Sequence, residues 1–250
     1  MNLAVIFAPA EIAQLSRRNL GDTTCVVFDV LRATSTMLAA LHAGAIGIHP
    51  VAEIAEALVV RARQPEVLLA GEREGRRITA AVSGGPEFDL GNSPREMTLE
   101  RVAGRLIVST TTNGTKAIRA CSHADKVLIA AFANLRATAH WLIGQGNQDV
   151  LLVCSGTGAE ACWEDALAAG ALIDELTERV SDCQLADSAI LTLAAYRNAR
   201  TSLKSEAHRA RNAQRLLAMP ELADDVEWCF ELDHCPLVAL LGPDGVIRKG

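Results

Sequence analysis

Aromatic residues are scarce in this chain: Phe, Trp and Tyr supply 4% of 250 residues, although half of all residues are hydrophobic. Ala, Leu, Val and Ile must therefore fill the interior, which is the composition of helix-covered parallel sheets and argues against a β-sandwich. Positive charge is also in short supply. Lys and Arg number 24 against 30 Asp and Glu, a formal charge of −6, so the global field repels nucleic acid and anionic membrane, and any anion must be caught by a local site. No apolar stretch approaches the ~18 residues of a membrane span, and Met1–Pro9 carries no basic leader segment. The expected location is the cytoplasm. None of the seven scattered cysteines forms a Cys-x-x-Cys pair, which excludes a zinc knuckle and a disulfide framework and leaves reduced thiols. The six histidines show no repeated metal-ligand spacing.

What is present is alternation. Short β-branched apolar runs at Leu3–Phe7, Thr24–Asp29, Ile46–His49, Val67–Ala70, Leu106–Ser109, Lys126–Ala130 and Val150–Cys154 predict strands, most of them central and buried. Between them, apolar residues at three- to four-residue intervals predict helices at Thr34–Ala43, Ala52–Arg63, Lys116–Cys121, Leu135–Gly144 and Glu164–Val180. The expectation is a single α/β domain over 1–250: a three-layer α/β/α sandwich with a largely parallel central sheet, whose body runs from 1 to 180. Residues 181–235 turn polar and Arg-rich and predict a helical cap, with helices near Ser188–Asn198 and Glu206–Met219. Arg209, Arg211 and Arg215 in this stretch suit a solvated helix face as well as a ligand. Residues 236–250 return to the sheet as a hairpin, Leu237–Leu241 and Val246–Arg248 around Gly242-Pro243-Asp244-Gly245, expected at a sheet edge. Ala80–Pro86 reads as a mobile loop. Ala-rich helix faces leave room for a homodimer.

In open α/β sheets ligands bind beyond the carboxyl ends of the strands, and four segments there are unusual. In Phe28-Asp29-Val30-Leu31-Arg32-Ala33-Thr34-Ser35 an acid ends a buried strand. Asp29 suits either holding Mg²⁺ or attacking phosphorus, Arg32 a bidentate clamp, and Thr34 and Ser35 either ligand donors or plain helix caps. Gly71-Glu72-Arg73-Glu74-Gly75 offers Glu72 as a metal ligand and Arg73 as an anion partner, with Asn92 and Ser93 as neutral donors across the following loop. Ser109 through Lys116 (Ser-Thr-Thr-Thr-Asn-Gly-Thr-Lys) places the amides and hydroxyls of Thr110, Thr111, Thr112, Asn113, Gly114 and Thr115 at a helix start, a concavity for a tetrahedral anion without Walker A spacing. The fourth, Cys154 to Asp165, is a small-residue loop ending in Glu164-Asp165, where Asp165 suits Mg²⁺ binding or water orientation and both acids also suit a helix N-terminus.

Taken in order, Phe-Asp-Val-Leu-Arg-Ala-Thr-Ser (28–35), Ala-Gly-Glu-Arg (70–73), Gly-Asn-Ser-Pro (91–94), Thr-Thr-Thr-Asn-Gly-Thr (110–115), Gly-Thr-Gly (156–158), Glu164-Asp165 and Asp-Gly-Val-Ile (244–247) resemble the 2-phosphosulfolactate phosphatase family over nearly the whole chain. The resemblance implies an α/β/α sandwich and a Mg²⁺-dependent phosphatase that converts 2-phosphosulfolactate to sulfolactate on the route to coenzyme M. A small anionic phosphorylated substrate is then the expected partner. On that basis Asp29, Glu72 and Asp165 would hold the metal, Arg32 and Arg73 would pair with anionic groups, and the segment 110–115 would cradle phosphate oxygens. Glu160 stands where the family pattern carries Arg, which leaves a phosphatase of another phosphorylated hydroxy acid as an alternative; a non-catalytic anion-binding protein is the other.

Overall fold

The computed structural model describes residues 1–146 and 148–250. Its strands are β1 (Asn2–Ile6), β2 (Thr23–Phe28), β3 (Gly47–Pro50), β4 (Leu68–Arg73), β5 (Arg76–Arg77), β6 (Leu106–Thr110), β7 (Lys126–Ala130), β8 (Asp149–Cys154), β9 (Gln184–Leu185), β10 (Ala239–Leu241) and β11 (Ile247–Lys249). They form one sheet in the order β5-β4-β6-β3-β11-β10-β7-β2-β8-β1-β9.

Two parallel blocks make up this sheet. In one, β6 pairs with both β4 and β3; in the other, β2 pairs with β7 and β8, and β1 with β8 and β9. The C-terminal hairpin joins them. β11 runs antiparallel to β3 and β10 antiparallel to β7, so the hairpin expected at an edge is in fact the centre of the sheet. The reason is hydrogen bonding: each parallel block ends in a row of open backbone groups, and a short antiparallel pair satisfies both rows at once. Ile247 and Ala239 are accordingly buried.

Helices cover both faces and complete a three-layer α/β/α sandwich. Cys25 and Val27 of β2 face a core shared with the helices Ala33–His42 and Gly114–Ala120. Val26 and Phe28 face the opposite core, formed with the helices Leu135–Gly144, Trp163–Arg179 and Asp187–Ala199. Each such fully buried side chain contributes about 1.5–3 kcal/mol. A third, smaller core packs the helix Ile54–Arg63 on β4 and β6 through Ala57, Leu69 and Val108. Among the described residues no helix is long and apolar enough to cross a membrane.

Three local expectations change. β4 continues past Ala70 through Arg73 because Glu72 and Arg73 pair with Arg77 and Arg76 of β5; Glu72 thus sits on a strand. The loop 80–86 carries a short helix, Ala80–Ser83, closed by Gly84 at φ +67°. The stretch 206–219 divides into the helices Leu203–Ala207 and Arg211–Leu217, and another helix, Ala223–Phe230, follows Pro220.

Candidate active site

The ends of β2, β4 and β6 and the helix Arg211–Leu217 enclose a cavity of about 330 Å³, lined by Asp29, Arg32, Glu72, Arg73, Glu74, Gly75, Asn92, Thr111, Thr112, Asn113, Thr157, Asn212 and Arg215, with Leu31 and Leu216 as its apolar patches. Residues far apart in the chain therefore share one concave surface, as expected for a site at the carboxyl ends of sheet strands.

Asp29 follows directly on β2 and is held from both sides. Its amide donates to Thr34 Oγ1 at 3.1 Å, its carbonyl accepts the Thr34 amide at 3.0 Å, and its Oδ1 accepts the Ala33 amide at 3.2 Å. Burial pushes its carboxyl up to about 7, with the charges of Glu72 and Glu164 adding to the rise and the Ala33 and Gly114 amides opposing it. Thr34 and Ser35 are buried and absent from the cavity wall. Thr34 locks the Asp29 backbone, and Ser35 donates to the Val30 carbonyl at 2.8 Å. Neither caps the helix Ala33–His42, whose N-cap position is Arg32: both sit in its first turn and tie it to the Asp29–Val30 backbone, and neither lines the cavity.

Glu72 is anchored by the third segment. Its Oε1 accepts the Thr112 amide at 2.9 Å and the Thr112 hydroxyl at 2.8 Å, and its Oε2 accepts the Gly75 amide at 2.7 Å. The amides of Thr112 and Gly114, expected to face an anion, are thus engaged by the protein's own carboxylates. Thr111 and Thr115 bond each other: each amide donates to the other's hydroxyl at 3.2 Å. Thr110 is buried and accepts from Arg73. What this segment turns toward the cavity is Thr111, Thr112 and Asn113.

The three cavity arginines differ in their partners. Arg32 is buried and forms an ion pair with the equally buried Asp225 at 2.7 Å, while donating to the Gly75 carbonyl at 2.6 Å. Ser93 supports this pair by donating to the other Asp225 oxygen at 2.7 Å, and Asn92 lines the cavity beside it. Arg73 donates only to neutral acceptors, the Glu72 carbonyl at 2.7 Å and Thr110 Oγ1 at 3.2 Å. Arg215 forms no ion pair among the described residues.

Asp165 lies behind the cavity wall, where its Oδ1 accepts the Val30 amide at 2.8 Å and its Oδ2 the Gly156 amide at 3.4 Å. Its carboxyl is held well above the usual range by burial first, then by the charges of Glu164 and Asp29. Among the described residues no three His, Cys, Asp or Glu side chains gather into a group able to hold a metal, so the expected trio Asp29, Glu72 and Asp165 is not preassembled; only the first two line the cavity. Asp165's oxygens are taken up by the backbone amides of two different loops, those after β2 and β8. Glu160, the departure noted above, is exposed and paired with Arg211, outside the cavity lining.

Sequence reasoning missed Asp225 and Asn212, and placed Glu164 at a helix start, where it lies, without seeing its partner Asn212. Asn212 Nδ2 donates to Glu164 Oε1 at 2.6 Å and to Thr157 Oγ1 at 3.0 Å, tying the helix Arg211–Leu217 to the fourth segment. Burial raises the Glu164 carboxyl, against the hydrogen bond from Asn212. Asn212 and Asp225 lie in amphipathic helices where a polar residue reads as solvated, so the sequence held no signal for them. Thr157 and Glu164 did fall within a segment singled out for its small residues and paired acids.

A family model described as 2-phosphosulpholactate phosphatase matches residues 10–243. The chain belongs to the 2-phosphosulfolactate phosphatase family. Among its relatives, a probable 2-phosphosulfolactate phosphatase of Carboxydothermus hydrogenoformans is 35% identical over 251 residues, covering 100% of this chain and 95% of the relative. One of Deinococcus radiodurans is 37% identical over 229 residues, 90% of each chain. One of Caldanaerobacter subterraneus is 32% identical over 239 residues, 94% of this chain and 93% of the relative. Family membership agrees with the resemblance carried by the ordered motifs, five of which contribute residues to this cavity.

Proposed function

We propose that the chain is a Mg²⁺-dependent phosphatase that hydrolyses 2-phosphosulfolactate to sulfolactate and inorganic phosphate. The observation that carries this reading is that Asp29, directly after β2, and Glu72, on β4, line one cavity together with the guanidinium groups of Arg32, Arg73 and Arg215 and a third carboxylate, Glu74. A protein that only bound anions would gain nothing from two carboxylates facing its ligand. Glu160, the residue that raised another substrate as an alternative, is tied to Arg211 on the surface and favours neither.

The carboxylate pair fits a hard divalent cation. The charge of Glu72 contributes to the upward shift of Asp29, and the buried cation in the cavity wall, Arg32, is already matched by Asp225. Mg²⁺ commonly takes one or two carboxylates and completes its shell with water and phosphate oxygens. Asp29 and Glu72 would hold it, and when bound it would supply charge neutralisation at a phosphate oxygen. Arg32, held rigid by Asp225, Ser93 and Gly75, would pair with the phosphate together with Arg73, whose charge meets no carboxylate among the described residues. Thr112 and Asn113 would orient the ester. Asp165 would set the loop geometry through the Val30 and Gly156 amides.

The direct test is phosphate release from 2-phosphosulfolactate with and without Mg²⁺. Turnover should vanish in excess EDTA and return on adding Mg²⁺; unchanged turnover in EDTA would remove the metal from the scheme. Gly114 offers a geometric check. A Cβ there would stand 2.5 Å from Asp29 Oδ2 and 2.6 Å from Ala33 Cβ, so Gly114→Ala must displace the carboxylate. A displacement of about 1 Å lowers kcat by about 10²-fold in well-oriented sites. The expected result is that loss in a protein that still melts cooperatively; full activity would show that Asp29 need not occupy its present position.

A further inference from the structure

Resting on the reading of the site just given, we infer that Arg215 determines specificity by binding the second anionic group of the substrate, a sulfonate or carboxylate remote from the phosphate. The C-terminal segment holds three arginines in one short stretch, and two are committed. Arg209 pairs with Glu206 at 2.9 Å and lies over the Trp163 ring; Arg211 pairs with Glu160. Arg215 lines the cavity and has no carboxylate partner among the described residues.

Its placement is set by the residue one turn earlier. Residues three apart share a helix face, and Asn212 is fixed by its bonds to Glu164 and Thr157, while the buried Leu216 packs into the core at the cavity wall. The helix cannot rotate without breaking these contacts, so Arg215 is presented to the cavity in a defined register. Arg215 and Arg32 both approach Gly75, with Nη2 atoms 3.8 and 4.0 Å from a Cβ built on that glycine. Arg32 is neutralised by Asp225 and Arg215 is not. An oxyanion entering the cavity beyond the phosphate position loses hydration and needs a charged donor in exchange. A guanidinium provides that as a planar fork matched to carboxylate or sulfonate oxygens.

The test compares wild type, Arg215→Gln and Arg215→Lys on three phosphate esters that differ in their second anion: 2-phosphosulfolactate, 2-phospholactate and isopropyl phosphate. Arg215 is exposed, so the variants should melt as wild type does. Arg215→Gln should lower kcat/KM about 10- to 100-fold, chiefly through KM, on the esters that carry the recognised anion. Their advantage over isopropyl phosphate should collapse. A loss confined to 2-phosphosulfolactate assigns the sulfonate; a loss shared with 2-phospholactate assigns the carboxylate. Arg215→Lys should restore part of the discrimination. An equal loss on all three esters, or none on any, would overturn the assignment. A wild-type protein that released phosphate from none of them would remove the phosphatase reading itself, and this assignment with it.

Discussion

Asp29→Asn should reduce phosphate release by at least about 10³-fold and, with divalent cations removed, should make the protein more stable above pH 7. The two effects have one origin. Burial and the nearby Glu72 and Glu164 charges raise the folded carboxyl from 3.8 to about 7, so without a cation the folded chain binds a proton that the unfolded chain releases. The stability this proton contributes is complete below about pH 3.8 and is lost as pH rises through about 7. In EDTA, wild type should therefore lose stability on going from pH 5 to pH 8, whereas the asparagine variant should change less. The gap at pH 8 should be on the order of 3 kcal/mol, after allowance for coupling to neighbouring acids. Asp165 and Glu164, both raised mainly by burial, titrate in the same direction and remain in the variant. Mg²⁺ should reverse the order, raising the melting temperature of wild type more at pH 8 than at pH 6 and leaving the variant nearly unmoved. Wild-type turnover in Asp29→Asn, or a melting difference independent of pH, would contradict the role assigned to this carboxylate.

Asp225→Ala should destabilise the fold by about 3–5 kcal/mol, because it strands the Arg32 charge in a buried position. Arg32 and Asp225 side chains are 2% and 0% exposed, which places this pair in the class where removing one partner is far more harmful than removing both. Ser93 would lose its acceptor in the same step. Urea denaturation should show a large fall in midpoint with little change in slope. The double replacement Arg32→Met with Asp225→Leu separates structure from chemistry: apolar side chains of similar volume often match or exceed a buried pair in stability. Stability should return and phosphate release should not. If Asp225→Ala melted as wild type does, the ion pair would have no structural role; if the double variant kept its activity, Arg32 would have no part in the reaction.

Legibility followed distance along the chain. The seven predicted body strands all occur in the structure, because buried parallel strands read as short continuous apolar runs bounded by turn signals. Asp29, Arg32, Glu72 and Arg73, which line the cavity, stood out because charge at a strand end interrupts such a run abruptly, and Asn92 because it stands in a Gly-Asn-Ser-Pro turn. The segment 110–115 was recognised as part of the site, but its partners could not be read: amides that suit phosphate oxygens suit carboxylate oxygens equally well, and Glu72 and Asp29 are the acceptors that reach Thr112 and Gly114. The same ambiguity separates Arg215 from Arg209 and Arg211, since which arginine finds a carboxylate depends on Glu206 and Glu160 arriving from other turns of the chain.

Periodicity and composition alone thus determined the layers of this protein, its buried strands and the segments that meet at their carboxyl ends, because local hydrophobic pattern is a property of neighbouring residues. Tertiary structure alone decided that the C-terminal hairpin completes the middle of the sheet, that Asp225 holds Arg32 across 193 positions, and that Asp165 spends its oxygens on backbone amides outside the cavity lining. Each of those outcomes depends on which hydrogen-bonding group, charge or open strand edge is left without a partner once the rest has packed, and that is settled only in three dimensions.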